Sequence, residues 1–127
     1  MIHTPLNLPC GAHIPNRLCK AAMTEGLAGP LGQPTEELNQ LYGLWSDGGA
    51  GLLLSGNVQI DGDHLERPGN VIVDSEPSVS MQRALERWAA AGTRGGNHFW
   101  AQISHAGSDI HIARSSTNTP DRGAVFA

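Results

Sequence analysis

The sequence predicts an α/β fold, the N-terminal part (about three βα units) of a TIM (β/α)8 barrel, with parallel strands and outer helices. Two observations carry this. Short apolar runs alternate with helical patterns in the order β-α-β-α-β, which implies parallel strands joined by right-handed crossovers. Three of the runs also end alike, at Ala22-Met23-Thr24, Ser55-Gly56-Asn57 and Gln102-Ile103-Ser104-His105, in small or hydrogen-bonding residues. In a β/α barrel the C-terminal strand ends are where an active site is assembled.

The elements follow in order. Leu6–Ile14 reads as a small hairpin with Pro9 and Gly11 at its turn, expected to cap the end of the sheet away from the site. A strand is expected over about 17–22, with Cys19 as a small buried apolar residue. Gly26, Gly29, Pro30 and Gly32 mark a loop. Thr35 is a candidate N-cap, and Glu36 and Glu37 sit in a first turn, where the helix dipole favours anions. Leu38, Leu41, Tyr42 and Trp45 then fall on one helical face, and Asp47-Gly48-Gly49 ends a helix over about 36–47. Leu52-Leu53-Leu54 is continuously apolar, as suits a strand covered on both faces, within an expected strand of about 51–56. Asp61–Asp74 reads as a long polar loop with one brief strand at Val71-Ile72-Val73. A second helix is expected over about 77–91, with Pro77 at its first position, Met81, Leu85, Trp88 and Ala89 on the buried face, and Gly92 as its C-cap. Phe99, Ala101 and Ile103 alternate with Trp100, Gln102 and Ser104 in a last strand over about 98–104. The whole chain, 1–127, is read as a single partial domain: a hairpin at 1–14, a βαβαβ core at 15–107 and a loop-like tail at 108–127.

Composition narrows the function classes. At 127 residues the chain can build one real core but not a complete barrel, which takes about 250 residues. With 39% hydrophobic and 16% charged residues it is globular in type, and a net charge of −4 with no basic cluster argues against nucleic acid as a partner. No apolar run is long enough for a membrane span and no leader pattern is recognised, so cytoplasm is the expected location. Cys10 and Cys19 match neither a disulfide framework nor a zinc spacing. Gly48-Gly49-Ala50-Gly51 lacks the Lys and Ser/Thr of a phosphate loop and precedes a strand. Neither His105, Asp109 and His111 nor Asp61, Asp63 and His64 has a recognised ligand spacing, so no metal site is expected.

Gln102 is the sharpest single position, an amide in an otherwise apolar strand. Burying it unpaired costs about 1–3 kcal/mol. Bonding to neighbouring backbone explains it as a structural residue; a side-by-side donor and acceptor also matches the pyrimidine edge of a flavin. Thr24 alone reads as a loop or cap hydroxyl and Ser55-Gly56-Asn57 alone as a turn, although Gly56 would let a planar ligand approach.

Taken jointly, Pro15-Asn16-Arg17-Leu18, Ala22-Met23-Thr24, Gly49-Ala50-Gly51-Leu52, Gly56-Asn57-Val58 and Gln102-Ile103-Ser104-His105-Ala106-Gly107 resemble the Old Yellow Enzyme family of NADH:flavin oxidoreductases. The likeness is to the N-terminal portion only, in the bacterial branch similar to 2,4-dienoyl-CoA reductases. It implies an FMN-dependent NAD(P)H oxidoreductase that passes hydride from reduced flavin to an electron-poor C=C bond of a small alkene or enoyl substrate. NADH or NADPH is the reductant. By resemblance Ala22, Met23, Thr24, Gly56, Asn57 and Gln102 contact the flavin, Thr24 tunes its potential, and either Gly56 or Asn57 is in register with the ring. Ala22 stands where the family commonly has Pro, and Ser108 follows His-Ala-Gly where Arg is frequent. The family's substrate-anchoring His pair, its proton-donating Tyr and its late phosphate site match nothing here. This chain alone is therefore expected to be inactive and to bind FMN poorly, with open sheet edges that invite self-association. The alternative is a non-catalytic β/α half-barrel module that assembles with another chain.

Overall fold

A computed structural model of the chain describes residues 1–107. The tail expected at 108–127, with Asp109 and His111, lies outside the described residues. Two short strands, β1 (Leu6–Asn7) and β2 (His13–Ile14), pair antiparallel as the expected hairpin. Next come β3 (Cys19–Lys20), α1 (Glu36–Asp47), β4 (Leu52–Gln59), β5 (Val71–Ile72), α2 (Val79–Gly92) and β6 (His98–Ser104). β4 is the hub. β3 and β5 lie parallel along one of its edges and β6 lies parallel along the other. His98 at the start of β6 bonds through Nε2 to His13 O, at 2.9 Å. The hairpin therefore sits at the N-terminal ends of the strands.

The helices cover one face of the sheet. Leu38, Tyr42, Leu53, Val58, Val71 and Trp88 form the buried core, with Trp45, Leu85 and Phe99 packed against it. Tyr42 is its centre, fully buried, with ring centroids 5.0 Å from Trp45, 5.2 Å from Trp88 and 4.8 Å from Phe99. Such offset and edge contacts between aromatic rings each contribute about 0.5–1.5 kcal/mol beyond area burial.

α1 matches its sequence expectation. Thr35 Oγ1 accepts from Leu38 N at 3.3 Å, and Gly49, at φ +87°, takes the left-handed position after the helix. α2 differs. Ser78 is its N-cap, accepting from Met81 N at 3.2 Å, so Pro77 precedes the helix instead of opening it. Its C-cap is Thr93, and Gly92 is its last turn, pressed so closely on Phe99 that a Cβ there would lie 2.4 Å from the ring. The buried face is Ala84, Trp88 and Gly92; Ala89 is exposed, because a helix packed against one flank of a neighbour turns that flank inward.

Two strands also differ from expectation. β3 is shorter, because Asn16 takes over the backbone before it. Its Oδ1 accepts from Leu18 N at 3.0 Å and Gly51 N at 2.8 Å, while Nδ2 donates to Gly49 O at 2.8 Å. One side chain thus ties the starts of β3 and β4. β4 runs longer, to Gln59, because its pairing with β6 shifts by a residue between Leu54 and Asn57. This β-bulge puts two residues opposite one and resets which side chains face the helices. Ser55 Oγ repairs the ladder there, accepting from Gln102 N at 2.8 Å. Cys19, expected to be buried, is exposed; it alternates with Lys20, whose side chain takes the helix-facing side, so Cys19 points to the uncovered side of the sheet.

Candidate functional site

Beyond the bulge, Asn57 and Gln102 are directly opposed across β4 and β6, on the face away from the helices. Gln102 Nε2 donates to Asn57 Oδ1 at 2.6 Å. Asn57 Nδ2 donates to Glu66 Oε2 at 2.5 Å, and Thr24 Oγ1 donates to the same oxygen at 3.0 Å. Thr24, Asn57 and Gln102 are far apart in sequence. The fold joins them in one row through Glu66, at the C-terminal ends of the strands. Gln102 is exposed on this face, its amide nitrogen engaged and its Oε1 without a partner among the described residues.

Glu66 is the residue that sequence reasoning missed. It lies in the loop read only as long and polar, and no spacing marks it. Arg67 N and Asn70 Oδ1 pair at 2.9 Å, and Asn70 Nδ2 donates to Asn57 O at 3.3 Å, so the loop is pinned where Glu66 must reach. Partial burial raises the Glu66 carboxyl, but the hydrogen bonds from Asn57 and Thr24 outweigh it and hold it below its ordinary value of 4.5. A carboxyl with a depressed folded-state value contributes stability that is complete above the ordinary value and is lost as pH falls through the depressed one. Urea midpoints should therefore drop between pH 6 and pH 3, and Glu66→Gln should flatten that drop. An unchanged pH dependence in the variant would show that the row does not depend on the carboxylate.

The other expected contacts separate. Ala22 is half-buried and Met23 is 53% exposed, on the extended segment leading to Thr24. Gly56 is buried against that same segment: a Cβ would lie 2.5 Å from Met23 O and 2.7 Å from Thr24 Cα. Its N–H already donates to Glu25 Oε1 and to the Tyr42 hydroxyl, each at 3.2 Å. Tyr42 also donates to Glu25, and burial first, then this bond, pushes its phenol far above the ordinary value. Lys20 closes the cluster from the helix side. Its Nζ donates to Leu54 O at 2.8 Å and lies 4.4 Å over the Trp45 ring, and burial lowers its pKa.

The donor set fits a flat, polar-edged ring. Amide, hydroxyl and carboxylate follow one another along an accessible face. Two residues along from Asn57, Gln59 is fully buried, and neither atom of its amide has a partner among the described residues. Such a group calls for a further polar partner.

No family model matches the chain. Curated relatives do. It is 39% identical over 109 residues to the NADH-dependent flavin oxidoreductase iliE of Neonectria sp. (strain DH2), and 35% identical over 109 residues to that of Hypocrea jecorina (strain QM6a). These matches cover 84% and 85% of this chain but only 14% and 27% of the relatives. Among solved structures, the old yellow enzyme homologue from Zymomonas mobilis superposes with a TM-score of 0.69 at 24% identity, covering 82% of this chain and 28% of that one. Morphinone reductase in complex with tetrahydroNAD gives 0.72 at 22% identity, over 87% and 28%. At these identities the structural likeness establishes the fold, a partial α/β barrel.

Proposed function

Because this chain is similar to curated NADH-dependent flavin oxidoreductases and shares a partial-barrel fold with old yellow enzyme homologues, we propose that it is a portion of an Old Yellow Enzyme-type flavin oxidoreductase and that its strand ends form one wall of an FMN site in an NAD(P)H-dependent ene-reductase. The observation that carries this is the Thr24–Glu66–Asn57–Gln102 row on the open face. FMN, when bound, would supply hydride transfer between NADH or NADPH and an electron-poor C=C bond of an alkene or enoyl substrate, with a proton completing the reduction.

The residues of this chain bind and orient. Gln102 offers Oε1, and its amide is held in plane by Asn57, so it can read the pyrimidine edge with little loss of rotamer freedom. Asn57 is the better candidate than Gly56 for the contact from β4, since the Gly56 N–H is taken up inside the protein. Thr24 presents a hydroxyl whose proton is committed to Glu66, which sets the lone pairs it turns to a ligand. The exposed β6 residues Trp100 and Ile103, at 39% and 60%, lie beside the open edge where further barrel strands or a second copy would pair.

The 127 residues by themselves are proposed to hold FMN weakly and to turn over no substrate. Each charge-assisted hydrogen bond to a phosphate contributes about 1.5–3 kcal/mol, and the row offers none. A fluorescence titration of FMN into the chain, with Gln102→Leu alongside, tests both parts. Weak saturable quenching is expected, lost or at least severalfold weaker in the variant. Equal binding by the two proteins rules out the row as a flavin wall. Tight binding with NADH-driven turnover of an enone by the monomeric chain rules out the proposed inactivity.

A further inference from the structure

Among the described residues, one set drawn from the two candidate metal groups of the sequence comes together in the fold. Asp61 and His64 lie in the loop after β4, and His105 follows β6 directly. Asp61 Oδ2 is 2.7 Å from His64 Nδ1 and 3.7 Å from His105 Nε2. The two imidazoles are stacked, with centroids 5.9 Å apart and planes inclined by 24°. One donor atom from each of the three residues falls within 4.8 Å of the others. The carboxylate is also aimed: Asp63 N donates to Asp61 Oδ1 at 2.9 Å, which turns Oδ2 toward both rings.

We propose that Asp61, His64 and His105 form a binding site for a divalent first-row transition ion of the zinc type. Two imidazoles and one carboxylate are a donor set that such ions favour, and three protein ligands leave a position for water. Bonds of about 2.0–2.2 Å place neighbouring donors roughly 3.4 Å apart in a tetrahedral shell. The Asp61–His64 and Asp61–His105 separations of 2.7 and 3.7 Å straddle that value. Hard ions such as magnesium fit poorly, because they require an oxygen shell. The ion would replace the Asp61–His64 hydrogen bond. It would also change the His105 ring. At present Gly107 N donates to its Nδ1, at 2.9 Å, which leaves the ring proton on Nε2. Coordination through Nε2 moves that proton to Nδ1 and releases the Gly107 contact. The ion would clip the loop that carries Glu66 to the end of β6, a role independent of whether flavin binds.

The test titrates Zn²⁺, and Co²⁺ as a visible probe, into the tag-free chain after removal of metals with a chelator. One equivalent of Zn²⁺ should bind by calorimetry, with a tautomer change at His105 in the ¹⁵N spectrum of the ring. Loss of supporting groups around bound metals weakens affinity by about 10–100-fold, and loss of a ligand by at least as much. Asp61→Asn, His64→Ala and His105→Ala should each show it, while His13→Ala, on the distant hairpin, should not. All three ligands are half-buried or exposed, so the variants should fold, which far-UV circular dichroism checks. No binding at micromolar Zn²⁺ overturns the proposal. So does binding that survives any one of the three ligand substitutions, or that His13→Ala abolishes.

Discussion

Tyr42→Ala should unfold most of the molecule at physiological temperature. Tyr42 is fully buried and touches Trp45, Trp88 and Phe99, so its loss empties the centre of the layer between helices and sheet. Truncating a buried aromatic ring costs about 3–5 kcal/mol. The hydroxyl adds to this, because it donates to Glu25 and accepts from Gly56 N at the bulge. Domains of this size have total stabilities of roughly 5–15 kcal/mol. A fall in melting temperature of about 15 °C or more is expected by calorimetry, at about 4–8 °C per kcal/mol. Tyr42→Phe separates the two contributions. It keeps the ring but loses the bond to Glu25, at about 1.5–3 kcal/mol, and the one accepted from Gly56 N. If alanine costs no more than phenylalanine, the aromatic cluster is not what holds the layers together.

Gly56→Ala should be the most damaging small substitution near the site. The added Cβ would lie 2.5 Å from Met23 O, 2.6 Å from Glu25 Oε2 and 2.7 Å from Thr24 Cα. Two of those atoms are backbone, which cannot swing aside. Overpacking of this kind costs about 1–3 kcal/mol, and here relief requires the 22–25 segment to move off β4. Thr24 would then leave Glu66, and Glu25 would leave the Tyr42 hydroxyl. Amide exchange should quicken at Gly56 and across β4 residues 57–59, whereas α2 should keep its protection. Protection unchanged at Gly56 would mean that the 22–25 segment does not press on the bulge.

The outline of the fold was legible because it is local chemistry. Thr35, Glu36 and Glu37 start α1 and Gly49 ends it through capping and dipole effects that need no tertiary context. The parallel order follows from apolar runs separated by helical ones, and the three strand ends converge because a β/α unit returns the chain to the same edge each time. The first turn of α2 was less legible, since Pro77 and Ser78 are both good starters and only the hydrogen bond from Met81 N to Ser78 decides between them.

Other features needed the tertiary structure. The bulge at Ser55-Gly56 depends on pairing between β4 and β6, and a one-residue shift reverses which side chains face the helices. Before it Leu53 faces the core; after it Val58 does, and this leaves Asn57 opposite Gln102. No period within β4 alone contains that shift. Cys19 looked buried because mid-strand residues usually are, but its side of the sheet carries no helix. Glu66, and the meeting of Asp61 and His64 with His105, belong to a loop whose path is set by Asn70 and its bonds to Arg67 and Asn57. Sequence alone determined which elements form, because capping and periodicity act within a few residues. Only the tertiary structure decided which polar side chains meet, because those meetings rest on register and loop closure between segments far apart in the chain.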